Sequence, residues 1–144
     1  MRRKNTVLVV EDDPDCLEFT TMALRQSGLV PEIAVARDGA EALDYLFAEG
    51  PHASRDVRDR PALILLDLKL PKLSGHDVLQ RIRQDPRTDT IPVVVLTSSG
   101  EDGDIEASYR YGANSFVRKP VDFDRFNEQL RDLQVYWLKV NESV

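Results

Sequence analysis

Three stretches of this sequence run apolar without alternation and then stop at polar groups, and no other feature restricts the fold as much. Val7-Leu8-Val9-Val10 ends at Glu11-Asp12-Asp13, Ala62-Leu63-Ile64-Leu65-Leu66 at Asp67, and Val93-Val94-Val95-Leu96 at Thr97-Ser98. A fourth, shorter run, Asn114-Ser115-Phe116-Val117, leads to Lys119-Pro120. Strands with one wet face alternate apolar and polar residues, whereas continuous Val/Leu/Ile runs of this length belong to strands covered on both faces, as in a parallel sheet between helical layers. Ligands of such sheets bind at the carboxyl ends of the strands. Every polar group named above lies at a carboxyl end.

The segments between these runs carry helix punctuation. Asp13-Pro14 offers a cap followed by proline at the first helical position, and Leu17, Thr20 or Thr21, and Leu24 recur at helical spacing, which predicts a helix from Pro14 to Ser27. Leu29 to Ala36 reads as a strand, placed at an edge by Pro31. Asp38 and Glu41 have capping-box spacing for a second helix reaching about Glu49, and Ser74 caps a third that carries Val78, Leu79 and Ile82. A fourth helix lies between Glu101 and Tyr111, stopped by Gly112. Asp122 caps the last, whose apolar stripe is Phe123, Phe126, Leu130, Leu133 and Trp137. The order is strand then helix, five times over, which predicts right-handed crossovers and a three-layer, doubly wound α/β fold with a five-stranded parallel sheet. The irregular stretch Gly50 to Pro61 reads as a charged surface linker.

Composition narrows the function classes. A chain of 144 residues fits one domain, and a formal charge of -6 with a pI near 4.9 argues against nonspecific nucleic-acid binding. Cys16 has no partner for an internal disulfide, no apolar run approaches a membrane span, and the basic start Met1-Arg2-Arg3-Lys4 lacks a signal-peptide apolar region. A cytoplasmic protein is expected.

If the first and third strands are neighbours, Glu11, Asp12 and Asp67 converge, and carboxylates so close repel unless a cation compensates them. Mg²⁺ fits, because it takes hard oxygen ligands and binds through one or two carboxylates plus waters and phosphate oxygens. No Cys/His spacing points to zinc, and His52 and His76 read as isolated surface residues. A metal-bound carboxylate cluster near Lys119 and Thr97 suits phosphoryl transfer, with one carboxylate as nucleophile and an acyl phosphate as product. Taken singly, each group has a blander role: Asp13 as a helix cap, Thr97 in local hydrogen bonding, Lys119 as a solvated turn residue. Their joint order on successive strands carries the signal. No glycine-rich phosphate loop is present.

These residues resemble a known family. Val9-Val10-Glu11-Asp12, Leu65-Leu66-Asp67 with Leu70-Pro71 and Gly75, Val95-Leu96-Thr97-Ser98 and Phe116-Val117-Arg118-Lys119-Pro120 are similar to the receiver domains of two-component response regulators, the CheY-like fold. The likeness runs from about Thr6 to Leu138, so a single receiver domain over residues 5–140, with no output domain, is expected. The resemblance implies the strand order 2-1-3-4-5. It implies Asp67 as phosphoacceptor, Asp12 and Asp67 as direct Mg²⁺ ligands, Glu11 as a ligand through water, and the Lys69 backbone carbonyl as a further ligand. Lys119 would pair with the phosphoryl group, Thr97 would move to bond it, and Phe116 would be the aromatic switch that follows Thr97. A cis bond at Lys119-Pro120 is implied as well. The phosphate would come from a sensor histidine kinase, and the output would be contact with another protein.

Lys69 departs from the family, where Asn or Met is common, and together with Ser99 offers no group to orient water, so slow self-dephosphorylation is expected. The linker Gly50 to Pro61 and the ending Tyr136-Trp137-Leu138 are similar to regulators paired with bacterial and cyanobacterial phytochrome kinases, a subgroup often dimeric through helix four, strand five and helix five. Val135 and Tyr136 point off the core stripe, which fits such a homodimer or, equally, scattered surface apolarity. Two readings from other classes compete. A Mg²⁺-dependent phosphohydrolase with an Asp nucleophile would normally carry a second Asp where Lys69 stands, and a pseudo-receiver would lack one of the acid pair, Asp67 or Lys119, all of which are present.

Overall fold

The computed structural model describes residues 6–30, 32–98 and 100–143. Five parallel strands, β1 (Thr6–Val10), β2 (Glu32–Ala36), β3 (Leu63–Leu66), β4 (Val93–Thr97) and β5 (Ser115–Arg118), form one sheet in the order β2-β1-β3-β4-β5. Between and after them run α1 (Pro14–Gln26), α2 (Gly39–Phe47), α3 (Gly75–Gln84), α4 (Asp102–Arg110) and α5 (Phe123–Val135). This is the CheY-like α/β fold that the sequence predicts, with β2 at an edge; Pro31 and Ser99 lie outside the described residues.

The unbroken apolar runs are explained by two cores. Successive side chains of a strand point to opposite faces. Leu8, Val10, Ile64, Leu66, Val93 and Val95 therefore enter the core under α2 and α3, while Val7, Val9, Leu63, Leu65, Val94 and Leu96 enter the one under α1 and α5. Both faces being dry, these strands are apolar from Val7, Leu63 and Val93 onward until they end.

Helix starts follow their caps. The Asp13 side chain accepts from the Asp15 amide, Asp38 from Glu41, and Asp122 from Asp124, while Ser74 and Asp77 form a reciprocal capping box at α3. At the other side of the sheet the half-buried Arg83 guanidinium donates to the carbonyls of Gly112, Asp89 and Ile91 and to Oδ1 of Asn114, so one α3 side chain ties the turn after α4 to the approach of β4.

Three sequence expectations change. Gly50 to Pro61 is not a free linker. After a single 3-10 turn at Gly50–His52, Arg55 lays its guanidinium 3.7 Å from the Tyr45 ring centroid and donates to the carbonyls of Tyr45 and Asp59, so cation–π attraction and two charge-assisted bonds fold the loop onto α2. His76 is half-buried between α3 and α4. Its Nε2 lies 3.0 Å from Oγ of Ser108, whose own proton goes to the Asp104 carbonyl, so the imidazole donates. In α5, Phe123 is 66% exposed rather than core, because it sits beyond the end of the sheet and packs on Phe19, whereas Gln134 is buried. Val135 and Tyr136 do face outward, and the helix closes in a π-type turn over Tyr136–Val140.

Candidate functional site: a carboxylate cluster closed by lysine

The sheet ladder continues past the strand ends and sets the site. The Glu11 amide donates to the Ala36 carbonyl at 3.0 Å, the Asp67 amide to the Val10 carbonyl at 3.1 Å, and the Lys119 amide to the Thr97 carbonyl at 2.8 Å. These bonds hold the first residues after β1, β3 and β5 in sheet register, so Glu11 and Asp67 stand side by side and Lys119 reaches them from across β4. Ligand oxygens of Glu11, Asp12 and Asp67 all lie within 4.8 Å of one another. Glu11 and Asp67 are buried and Asp12 is exposed, so the cluster opens to solvent on one side.

Lys119 closes the cluster from within. Its ammonium bonds Oε1 of Glu11 and lies 3.3 Å from Oδ2 of Asp67. Burial alone would push this ammonium down, but the Glu11 bond and the charges of Asp67 and Glu11 outweigh it and hold Lys119 above the ordinary lysine range. Glu11 moves the other way from a normal carboxylate: burial, only partly offset by Lys119 and reinforced by the neighbouring Asp67 charge, raises it. A buried acid held above its usual value is under-compensated, and a second cation at the open side would relieve it. The donor set is oxygen only, which suits a hard divalent ion.

Backbone groups fix the acceptor. Oδ1 of Asp67 accepts from the Leu68 amide at 2.7 Å and more loosely from the Lys69 amide at 3.5 Å, leaving Oδ2 toward Lys119. The turn that supplies these amides is pressed against α3 at Gly75, where a Cβ would meet the Asp67 carbonyl and come within 2.6 Å of the Leu68 Cα. Gly75 is thus demanded by close approach, not by its own dihedrals. Thr97 ends β4 fully buried, between the Asp67 and Lys119 strands, and Phe116 lies half-buried on β5. The Lys69 side chain is exposed.

The expected cis bond is corrected: the Lys119-Pro120 peptide is trans, and no cis bond occurs among the described residues. Trans is the intrinsic X-Pro preference, and Lys119 reaches both carboxylates in that form.

Two residues near the site escaped the sequence reading. Cys16 lines a cleft of about 350 Å³ with Phe19, Lys119, Pro120, Phe123 and Phe126, and burial raises its thiol despite the opposing effect of Lys119. Tyr109 of α4 bonds the amide of Phe116. Neither signal is local, since both depend on elements meeting in space.

A parallel five-stranded sheet of this order, with an acidic pocket at its carboxyl edge and a lysine bridging that pocket, defines a receiver domain. The chain belongs to the response regulator receiver domain family, whose pattern matches residues 7–131, and the Glu11, Asp12 and Asp67 pocket is consistent with a phosphoacceptor site. It is 38% identical over 138 residues to the probable methanogenesis regulatory protein FilR2 of Methanothrix harundinacea, covering 95% of this chain and 86% of that one. Similarity to response regulator Rcp1 of Synechocystis is 35% over 133 residues, 92% and 88% of the two chains. Among solved structures, the phosphorylated cyanobacterial phytochrome response regulator RcpA superposes with a TM-score of 0.90 at 35% identity over 97% of this chain and 98% of that one, and the Mn²⁺-bound form of Rcp1 with 0.89 at 33% over 97% and 99%. The likeness to phytochrome-associated regulators is therefore shown in both sequence and structure.

Proposed function

We propose that this protein is a response regulator that takes a phosphoryl group onto Asp67 from a histidine kinase and signals by protein contact. The observation that carries this reading is the Lys119 bridge: one ammonium bonded to both Glu11 and Asp67 on the buried side of an oxygen-lined pocket that opens at Asp12. Asp67 Oδ2, the oxygen facing Lys119, attacks phosphorus; the bond from phosphorus to the donor nitrogen breaks, the leaving imidazole takes the electron pair and a proton, and an aspartyl phosphate results. Lys119 supplies fixed positive charge against the phosphoryl oxygens, and the Leu68 amide holds the other carboxylate oxygen in place.

Asp12, Asp67, Glu11 through a water and the Lys69 carbonyl would hold Mg²⁺, which when bound neutralises charge on the transferring group. The Mn²⁺-bound relative supports a divalent ion at such a site. Thr97 and then Phe116 would report the new phosphoryl group to the surface of α4, β5 and α5, where Tyr109, Val135, Tyr136 and Val140 are exposed.

Kinship with phytochrome regulators supports a phytochrome-type kinase as the donor. The cleft between α1 and the start of α5, with Phe19 and Phe123 at its rim, lies beside the acceptor and would be the surface that such a kinase contacts. The exposed apolar groups of α5 support a homodimer through α4, β5 and α5; sedimentation that finds the same monomer for wild type and Tyr136→Asp removes it. The receiver domain is taken to span residues 5–140, and a cytoplasmic site of action fits a surface in which no described helix is long and apolar enough to cross a membrane. The phosphohydrolase reading is disfavoured by the exposed Lys69, which brings no acid to the position two residues after Asp67. Incubation with Mg²⁺ and a small phosphodonor, followed by mass measurement of the intact chain, tests the assignment of Asp67.

A further inference from the structure

β5 is the last strand of the sheet, so one of its edges has no neighbouring strand. The register pairs Thr97 with Arg118, and the Lys119 amide donates to the Thr97 carbonyl. In a parallel pair only alternate amides face a given neighbour. The amides of Phe116 and Arg118 therefore face the free edge. The Phe116 amide does not stay open there: it donates to the hydroxyl of Tyr109, in the last turn of α4, at 3.1 Å. At the other outward position the Arg118 guanidinium donates to the Gly100 carbonyl at 2.6 Å, just ahead of α4. The two ends of α4 are thus tied to β5 on either side of Val117.

Tyr109 is 49% exposed, so burial contributes little to holding its ring, and the hydroxyl bond fixes it. That bond coexists with direct contact between Lys119 and Oδ2 of Asp67, a contact that a phosphoryl group on Oδ2 would replace. We infer that Tyr109 is a positioning residue for the switch: through the backbone of Phe116 its hydroxyl holds α4 in the pre-transfer arrangement, and so sets how readily the site passes to the phosphorylated one. The inference rests on the phosphoacceptor reading of Asp67 and extends it to a residue outside the pocket. A ligand that favours one of two arrangements is bound more tightly when the other is weakened.

Tyr109→Phe removes the acceptor and keeps the ring. With Mg²⁺ present, affinity for beryllofluoride, a phosphoryl mimic, is expected to rise about five-fold, the effect of one ordinary hydrogen bond. Mg²⁺ affinity measured alone is expected to stay unchanged, and amide exchange at Phe116 to speed up. A merely structural role would lower the melting temperature and leave beryllofluoride affinity where it was. Unchanged or weaker beryllofluoride binding in the variant, with normal binding in wild type, overturns the role of Tyr109 alone. Absence of beryllofluoride binding in wild type removes the phosphoacceptor reading and this inference with it.

Discussion

The Lys119 ammonium lies 3.3 Å from Oδ2 of Asp67 while it also bonds Glu11, so a single cation serves two buried carboxylates from the far side of β4. It compensates the acids before any phosphoryl group arrives and is already aimed at the oxygen proposed to attack. Substituting Lys119→Met removes this preorganised charge. Labelling by a small phosphodonor is then expected to slow by about 100-fold or more, the usual effect of losing one fixed donor at a reacting centre. Mg²⁺ binding measured alone is expected to survive, since Lys119 is a competitor for the same oxygens and not a ligand.

Gly75 is where α3 touches the acceptor turn. Gly75→Ala forces the new methyl against the Asp67 carbonyl and Leu68 Cα, both backbone. Overpacking of this kind is expected to cost about 1–3 kcal/mol in urea unfolding. It is also expected to slow labelling, because the Leu68 amide that holds Asp67 Oδ1 must move.

Lys69 stands exposed two residues after Asp67, with its amide 3.5 Å from Oδ1, the oxygen not proposed to attack, and its side chain free to lie over a phosphoryl group. It orients no attacking water and adds positive charge near the phosphate. The aspartyl phosphate is therefore expected to be long-lived, and Lys69→Asn to lose phosphate about ten-fold faster, short of the ~100-fold at the lower end of general acid–base effects because an amide orients water without taking its proton. Loss at the wild-type rate would remove Lys69 from this role.

Acid stability draws on a surface fork. The Arg87 side chain, and then its amide, bond Asp85 and hold its carboxyl at about 2, below its ordinary 3.8. A lowered folded value means stability that is complete above the unfolded value and is lost as pH falls from about 4 through about 2. Asp85→Asn is expected to flatten this part of the acid-unfolding profile, only modestly because the pair is open to solvent. Circular dichroism followed between pH 5 and 2 in the two proteins checks it.

How much of this was legible in the sequence depends on the range of the interaction. The strands and caps were readable because their signals are local: Leu63 to Leu66 declare a doubly covered strand, and Asp13 and Ser74 bond amides two or three residues away. The pocket was readable because topology alone brings the residues after β1 and β3 together, which placed Glu11, Asp12 and Asp67. The Arg55 contact with Tyr45, the burial of Gln134 in place of Phe123, and the Tyr109 bond to β5 were not readable. Each joins side chains whose meeting is decided by how elements cross, and spacing carries no trace of it. The trans peptide at Lys119-Pro120 went against an expectation taken from resemblance, not from the residues themselves.

The most direct measurement is the mass of the intact chain after incubation with Mg²⁺ and a small phosphodonor, in wild type and in Asp67→Asn. One base-labile phosphate per wild-type chain, and none on Asp67→Asn, is the expected result. No adduct on wild type, or an undiminished adduct on Asp67→Asn, would contradict the assignment of Asp67 as the phosphoacceptor.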